Sequence, residues 1–256
     1  MTIDNIVQAF SDGNLEKALS LASDLIKHNS SNTELRLLFV ELLCYDHQWK
    51  RADQNLILLS RLVPEREPFF SKWRQNIRAA MDREAVFSFN ASPVLLHEIT
   101  PGIERALHSL KALQSSKPIE SEYTPYVSMQ VNQSYHGEVR DADELLGGIL
   151  EIYSQDGKYC WVDMMNIQAL VLLPSKQKID QLWCPASLTL LQKKPFEIWL
   201  PMIYPTLGSE ACRAGIETKW IIENGIKRGQ GLKTWFVGEQ QLPLNKCKEF
   251  IGSRHY

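Results

Sequence analysis

Cys184 stands in Gln-Leu-Trp-Cys-Pro-Ala-Ser-Leu-Thr-Leu-Leu, residues 181–191, inside an otherwise apolar run. A nucleophilic thiol needs its pKa lowered by a histidine, a cation or a helix N-terminus. The nearest histidines along the chain are His136 and His255, neither within a recognisable catalytic signature. Trp183 and Pro185 suit a strand end more than a helix start. Cys184 therefore reads as a small packed hydrophobe, with a cysteine-dependent hydrolase centred on it as the alternative. Cys44-Tyr45-Asp46-His47 has the spacing of half a metal site, but no second pair follows nearby and Cys44 falls on an apolar helix face. No catalytic residue, metal or cofactor is expected.

Gly229-Gln230-Gly231, with Lys227, Arg228 and Lys233 beside it, offers glycines and cations to a phosphate. Phosphate loops continue into a helix whose N-terminus faces the anion. Here a strand-like run follows Gly231, so a hairpin turn is expected. Lys193 and Lys194 joined to these cations would make a nucleic-acid binder, a further rival. Against it, the formal charge is −2 over residues 1–140 and 0 over residues 141–256, so neither half is basic. Asp141 and Asp143 could pair as acid and base, with Glu151, Asp156 and Asp163 adding carboxylates. Lacking a glycosidase or metal-ligand pattern, they read as solvated loop acids.

The elements that must hold these residues fall into two halves. Residues 12–18 (Asp-Gly-Asn-Leu-Glu-Lys-Ala) align with residues 46–52 (Asp-His-Gln-Trp-Lys-Arg-Ala) at an offset of 34, the length of a tetratricopeptide helix–turn–helix unit. Leu15, Ala18, Leu19, Ala22, Leu25 and Ile26 make one apolar helical stripe; Leu35, Leu38, Phe39, Leu42 and Leu43 make the next. Further helices are expected from Pro68, carrying Phe69, Trp73, Ile77, Ala80 and Met81 on one side, and from Thr100-Pro101, a cap followed by an N1 proline. Between Gln114 and about Arg140 serines and prolines replace periodicity, the mark of a connector. Short β-prone segments follow, among them Ile149–Tyr153 and Tyr159–Val162 around an Asp156-Gly157 turn. The fold expected is a multidomain α and β chain: a tetratricopeptide-like antiparallel helical domain over 1–115, a connector over 116–140, and a β-rich (α+β) domain over 141–256. The last is expected to hold a small antiparallel sheet or a partly open barrel.

A hydrophobic content of 44% and a charged content of 23% are those of a soluble globular chain. No run approaches the roughly 20 apolar residues of a membrane span. The N-terminus lacks the basic and apolar regions of a secretory signal, and the five scattered cysteines suit a reducing compartment. A cytoplasmic location is expected.

Five blocks of the second half, in order, carry a resemblance. They are Asp-Ala-Asp-Glu-Leu-Leu-Gly-Gly-Ile-Leu-Glu from Asp141, Lys-Tyr-Cys-Trp-Val from Lys158, Gln-Leu-Trp-Cys-Pro-Ala-Ser-Leu from Gln181, Ile-Tyr-Pro-Thr-Leu-Gly-Ser-Glu from Ile203, and Gly-Leu-Lys-Thr-Trp-Phe-Val-Gly-Glu from Gly231. The chain resembles the SciE/ImpE (TagJ) family of type VI secretion accessory proteins, whose first half is also tetratricopeptide-like. In that pattern Cys184 occupies a variable position, and the block from Tyr204 to Glu210 is two residues longer here. The resemblance implies a non-catalytic adaptor. Its partners would be an amphipathic helix of the small sheath subunit and, in some systems, the ClpV-type ATPase that recycles sheath. Nucleic acid and membrane insertion are not implied. Trp161, Trp183, Tyr204 and Trp235 are then the candidate partner-binding residues, on an apolar groove of the second half.

Overall fold

The computed structural model describes residues 2–88, 91–119 and 126–252. The first half is a run of helices: α1 Ile3–Ser11, α2 Leu15–His28, α3 Thr33–Tyr45, α4 Trp49–Leu62, α5 Glu67–Ser88 and α6 Pro101–Gln114. Successive members from α1 to α5 pack on one another. The period of 34 residues is visible in the turns. After α1, Gly13 takes φ +80° and Asn14 N donates to Ala9 O at 2.9 Å; after α3, His47 takes φ +58° and Gln48 N donates to Leu43 O at 2.8 Å. The second copy thus places a histidine where the first uses glycine, whose left-handed conformation carries no Cβ penalty. Asn32 caps α3 through Leu35 N (3.0 Å), and Thr100 caps α6 through Ile103 N (3.2 Å) ahead of Pro101. The stripes expected from periodicity are mostly buried; Leu25, Ile26, Leu38 and Phe69 are half-buried, and Met81 is 40% exposed.

The strands are β1 Val94–Leu95, β2 Val127–Val131, β3 Tyr135–Asp141, β4 Ile149–Tyr153, β5 Tyr159–Asp163, β6 Ile167–Leu172, β7 Trp183–Leu190, β8 Phe196–Pro201, β9 Thr218–Glu223, β10 Ile226–Gly231, β11 Thr234–Val237, β12 Gln240–Pro243 and β13 Glu249–Gly252; a short helix, α7 Glu210–Arg213, precedes β9. The expected small sheet is corrected to eleven strands in the order β1-β5-β4-β8-β7-β6-β13-β2-β3-β11-β12, with β9 and β10 forming a separate ribbon. It is mixed, because β1 pairs parallel with β5. The connector reading is corrected as well. Its part from residue 127 onward forms β2 and β3, paired from Val127↔Val139 to Val131↔Tyr135, while residues 120–125 lie outside the described residues. Long-range pairing with β13 and β11 fixes these strands, and local composition carries no trace of it.

The sheet packs on both faces. In β4, Ile149, Glu151 and Tyr153 alternate with Leu150 and Ile152; in β5, Tyr159 and Trp161 alternate with Cys160 and Val162, and every residue of both strands is buried. Ile149, Tyr153, Tyr159 and Trp161 share one core with the helices, whereas Leu150, Ile152, Cys160 and Val162 join a second core lying within the sheet. The Asp156-Gly157 hairpin forms as expected, with Gly157 at φ +78°.

Candidate functional site

Where helices meet sheet, six charged side chains are buried together. Arg83, near the end of α5, forks onto Glu151 of β4 with two bonds of 2.7 Å and gives a third N–H to Ile203 O at 3.0 Å. Lys233 Nζ lies 2.5 Å from the Glu151 carboxylate and 3.4 Å from Asp141. Asp141, the last residue of β3, also accepts from Tyr204 Oη (2.7 Å), Trp235 Nε1 (3.1 Å) and Asp143 N (2.9 Å). Asp143 accepts from Arg228 Nε and Gly229 N, both at 2.9 Å. Tyr159 Oη donates to Glu151 at 2.5 Å and receives the Trp161 indole N–H at 2.5 Å. Three carboxylates thus meet three cations.

The electrostatics follow from this pairing. Burial alone would raise Glu151, but the Arg83 and Lys233 charges overcome it and hold the carboxyl well below the usual range. For Asp141, burial prevails over Lys233, and with Asp143 close by its pKa is raised. Glu151 has both oxygens doubly occupied and nothing left to offer a substrate.

The solvated-acid reading is therefore corrected for Asp141, Asp143, Glu151 and Asp163, all at most 2% exposed. Asp163 instead secures α6, accepting from Thr100 Oγ1 at 2.5 Å. The basic set is corrected too. Arg228 and Lys233 are neutralised inside the fold, and Lys227 lies 4.6 Å over the Trp220 ring; Lys193 and Lys194 stay exposed on the β7–β8 turn. Gly229 and Gly231 belong to β10, and the hairpin turn is Asn224-Gly225. Close approach explains the glycines: a Cβ on Gly229 would lie 2.4 Å from the Tyr204 ring, and Gly231, at φ +86°, faces Glu217 O.

Cys184 is the second residue of β7 and is 6% exposed. Burial first, then Asp180, pushes its thiol up to about 12, and its Sγ approaches only backbone carbonyls, of Pro185 at 3.5 Å and Leu173 at 3.9 Å. A thiolate is disfavoured there. His136 belongs to β3, and His255 lies outside the described residues. Cys44 is fully buried with a raised pKa, and burial, then Arg83 and Arg213, lowers His47 to about 4.

Of the four candidate aromatics, the structure brings Trp161, Tyr204 and Trp235 into the charge cluster as hydrogen-bond donors, while Trp183 packs between Trp49 (6.2 Å) and Tyr153 (6.4 Å). All are at most 2% exposed. Trp183 and Tyr204 also line a cleft of about 80 Å³ with Trp49 and Glu84, room for a few waters and too little for a helix. A wider groove of about 350 Å³ runs between the start of α5 and strands β7 and β8. Sequence reasoning missed Arg83. The available signal was its place on the apolar stripe Trp73-Ile77-Ala80, where a cation needs a buried partner.

Residues 133–251 match the family model described as ImpE protein. The chain is 28% identical over 241 residues to the type VI secretion system accessory component TagJ of Pseudomonas aeruginosa strain PAO1, covering 90% of this chain and 85% of that one. The crystal structure of protein VPA1032 from Vibrio parahaemolyticus is similar with a TM-score of 0.88 and 27% identity, covering 98% of each chain.

Proposed function

Since the chain belongs to the ImpE/TagJ family, we propose that it is a non-catalytic accessory of the type VI secretion machine, an adaptor that captures an amphipathic helix of the small sheath subunit in the cytoplasm. The observation that carries this reading is similarity to the Pseudomonas aeruginosa accessory component over 90% of the chain. Two physical features support it. The charged side chains where helices meet sheet are buried and mutually neutralised. An apolar groove lies between the start of α5 and strands β7 and β8, where an amphipathic helix can lay its apolar face. In this reading the tetratricopeptide-like region over 1–115 and the β-rich region over 141–256 act as one scaffold, and Trp183 and Tyr204 are the candidate aromatics that border the seam. The ClpV-type ATPase is a second partner, reached through the sheath subunit.

The test is fluorescence anisotropy with a labelled N-terminal peptide of the cognate small sheath subunit. Saturable binding in the micromolar range is expected, and no binding at several hundred micromolar overturns the reading. A pull-down of the ATPase with and without the sheath subunit separates bridged from direct contact.

A further inference from the structure

The last strand of a sheet carries a row of unpaired N–H and C=O groups, and proteins blunt such edges with short strands, prolines or polar side chains. The eleven-stranded sheet is blunted at both ends: β1 is two residues long, and β12 opens with two exposed glutamines and closes on Pro243. The β9–β10 ribbon is not. β9 runs for six residues through Trp220-Ile221-Ile222 and, among the described residues, pairs with β10 alone. Ile222 is 73% exposed, the most of any large apolar side chain among them.

The neighbours of β10 reveal which backbone groups of β9 face outward. Lys227 O accepts from Glu144 N, Gly229 N donates to Asp143, and Gly231 O accepts from Tyr204 N, so these three residues turn their backbone away from β9. Along an antiparallel pair the bonded and non-bonded positions alternate. The residues opposite them, Thr218, Trp220 and Ile222, therefore turn their own N–H and C=O groups to the open edge. There the backbone of Trp220 and of Ile222 takes no partner among the described residues.

This edge is complementary to itself. Laid antiparallel against a second β9 about Ile221, Trp220 meets Ile222 and Lys219 meets Glu223, each pairing occurring twice by symmetry. Trp220 and Ile222 both present outward groups, so each of their pairings closes two ladder bonds. Lys219 and Glu223 each have one partner in their own chain, Glu217 and Arg228 at 3.0 Å, and their side chains remain 51% and 39% exposed. Registers displaced by two residues keep the bonding pattern but lose the match: one sets Glu223 against Glu217, the other sets Lys219 against Gly225.

We infer that β9 is a self-association edge, on which two copies of this chain pair antiparallel about Ile221 and join their ribbons into one four-stranded sheet. A seam of this size suits a weak, reversible dimer.

Sedimentation equilibrium of the full chain from about 1 to about 200 micromolar reads the association. The wild-type mass should rise with concentration towards twice that of the chain. Ile222→Glu should weaken the dimer at least tenfold. Its circular dichroism and urea midpoint should match wild type, because position 222 is exposed and faces Lys227 within its own hairpin. Lys219→Glu sets two like-charge pairs across the seam and should weaken it about tenfold. Position 221 meets its own copy in the closer, non-bonded pairing, so Ile221→Cys should give a disulfide-linked dimer under mild oxidation. Lys219→Cys should not, since its two copies stand about 13 Å apart along the strands. The five native cysteines are buried and do not compete. A wild-type chain that stays monomeric throughout overturns the inference, as does a dimer unmoved by Ile222→Glu and not cross-linked at position 221. A monomeric wild type whose Ile222→Glu variant loses sheath-subunit binding would give the edge to a strand of another protein, and overturns the second copy as its occupant.

Discussion

Each oxygen of Glu151 accepts two bonds, and removing either cationic partner, Arg83 or Lys233, leaves one carboxylate charge of the cluster without compensation in the interior. Arg83→Met should cost about 3–5 kcal/mol in urea unfolding, the range for breaking a buried pair from one side. Arg83→Met with Glu151→Leu should cost clearly less than the two single changes summed. Additive costs would mean the pair is not coupled. Glu41 gives the pH dependence. It is 8% exposed in α3, and burial raises its pKa from 4.5 to about 7. Between those values the native state holds a proton that the unfolded chain has released. The stability from this site is therefore full below pH 4.5 and is lost as pH rises through about 7. Glu41→Gln should gain on wild type across that window, by at most about 3 kcal/mol; urea midpoints at its two ends check this, and a difference that does not change with pH refutes it. What was legible at this scale was packing: Cys184 could be read as a wall residue because its neighbours are apolar. The carboxylates could not, because spacing alone says nothing of the cations that Arg83, Arg228 and Lys233 bring from elsewhere in the chain.

Among the elements, legibility followed the range of the contacts that form them. The helices were readable because 3.6-residue stripes and caps such as Thr100 lie within one segment, and the β4–β5 hairpin because Asp156-Gly157 sits between its own two strands. The β2–β3 pair reads as a connector in the sequence, since its partners β13 and β11 come about a hundred residues later. The long block from Tyr204 to Glu210 shows how such distance is bridged. Asn14 gives α2 no side-chain cap; Glu210, at the start of α7, reaches across to accept from Glu16 N at 2.8 Å. Three residues on, Arg213 pairs with Asp46 at 3.1 Å, in the second copy of the repeated turn. A carboxylate at a helix N-terminus both satisfies a free N–H and meets the positive end of the dipole. Glu210→Ala should therefore destabilise the chain by about 1 kcal/mol. Amide exchange at Glu16 and its neighbours should rise more than exchange in α4, and uniform acceleration throughout the helices would argue against a local cap.

At the scale of the molecule, composition suggested a helical unit and a β unit, and the packing joins them. Ala80 and Ile103 from the helices share one core with Ile149, Tyr153, Trp161 and Trp183, whereas the buried members of the second core, among the described residues, all lie from Met129 onward. The helical half consequently has no core apart from the sheet, and the helix-facing side of β4 and β5 carries Glu151, whose counter-charge Arg83 comes from α5. Separating the halves would expose aromatic surface and strand a carboxylate together, so neither should unfold without the other. Urea denaturation should then give one transition, coincident in tryptophan fluorescence and far-ultraviolet circular dichroism. The five cysteines offer an independent clock: all are buried, with Cys44 and Cys212 in helices and Cys160 and Cys184 in the sheet. Under native conditions their labelling by a thiol reagent should be slow and governed by global opening, with helical and sheet cysteines sharing one denaturant dependence. Cys44 reacting at a denaturant concentration that leaves Cys160 protected would show that the helices open alone, and the seam would then be a hinge between two units instead of the centre of one.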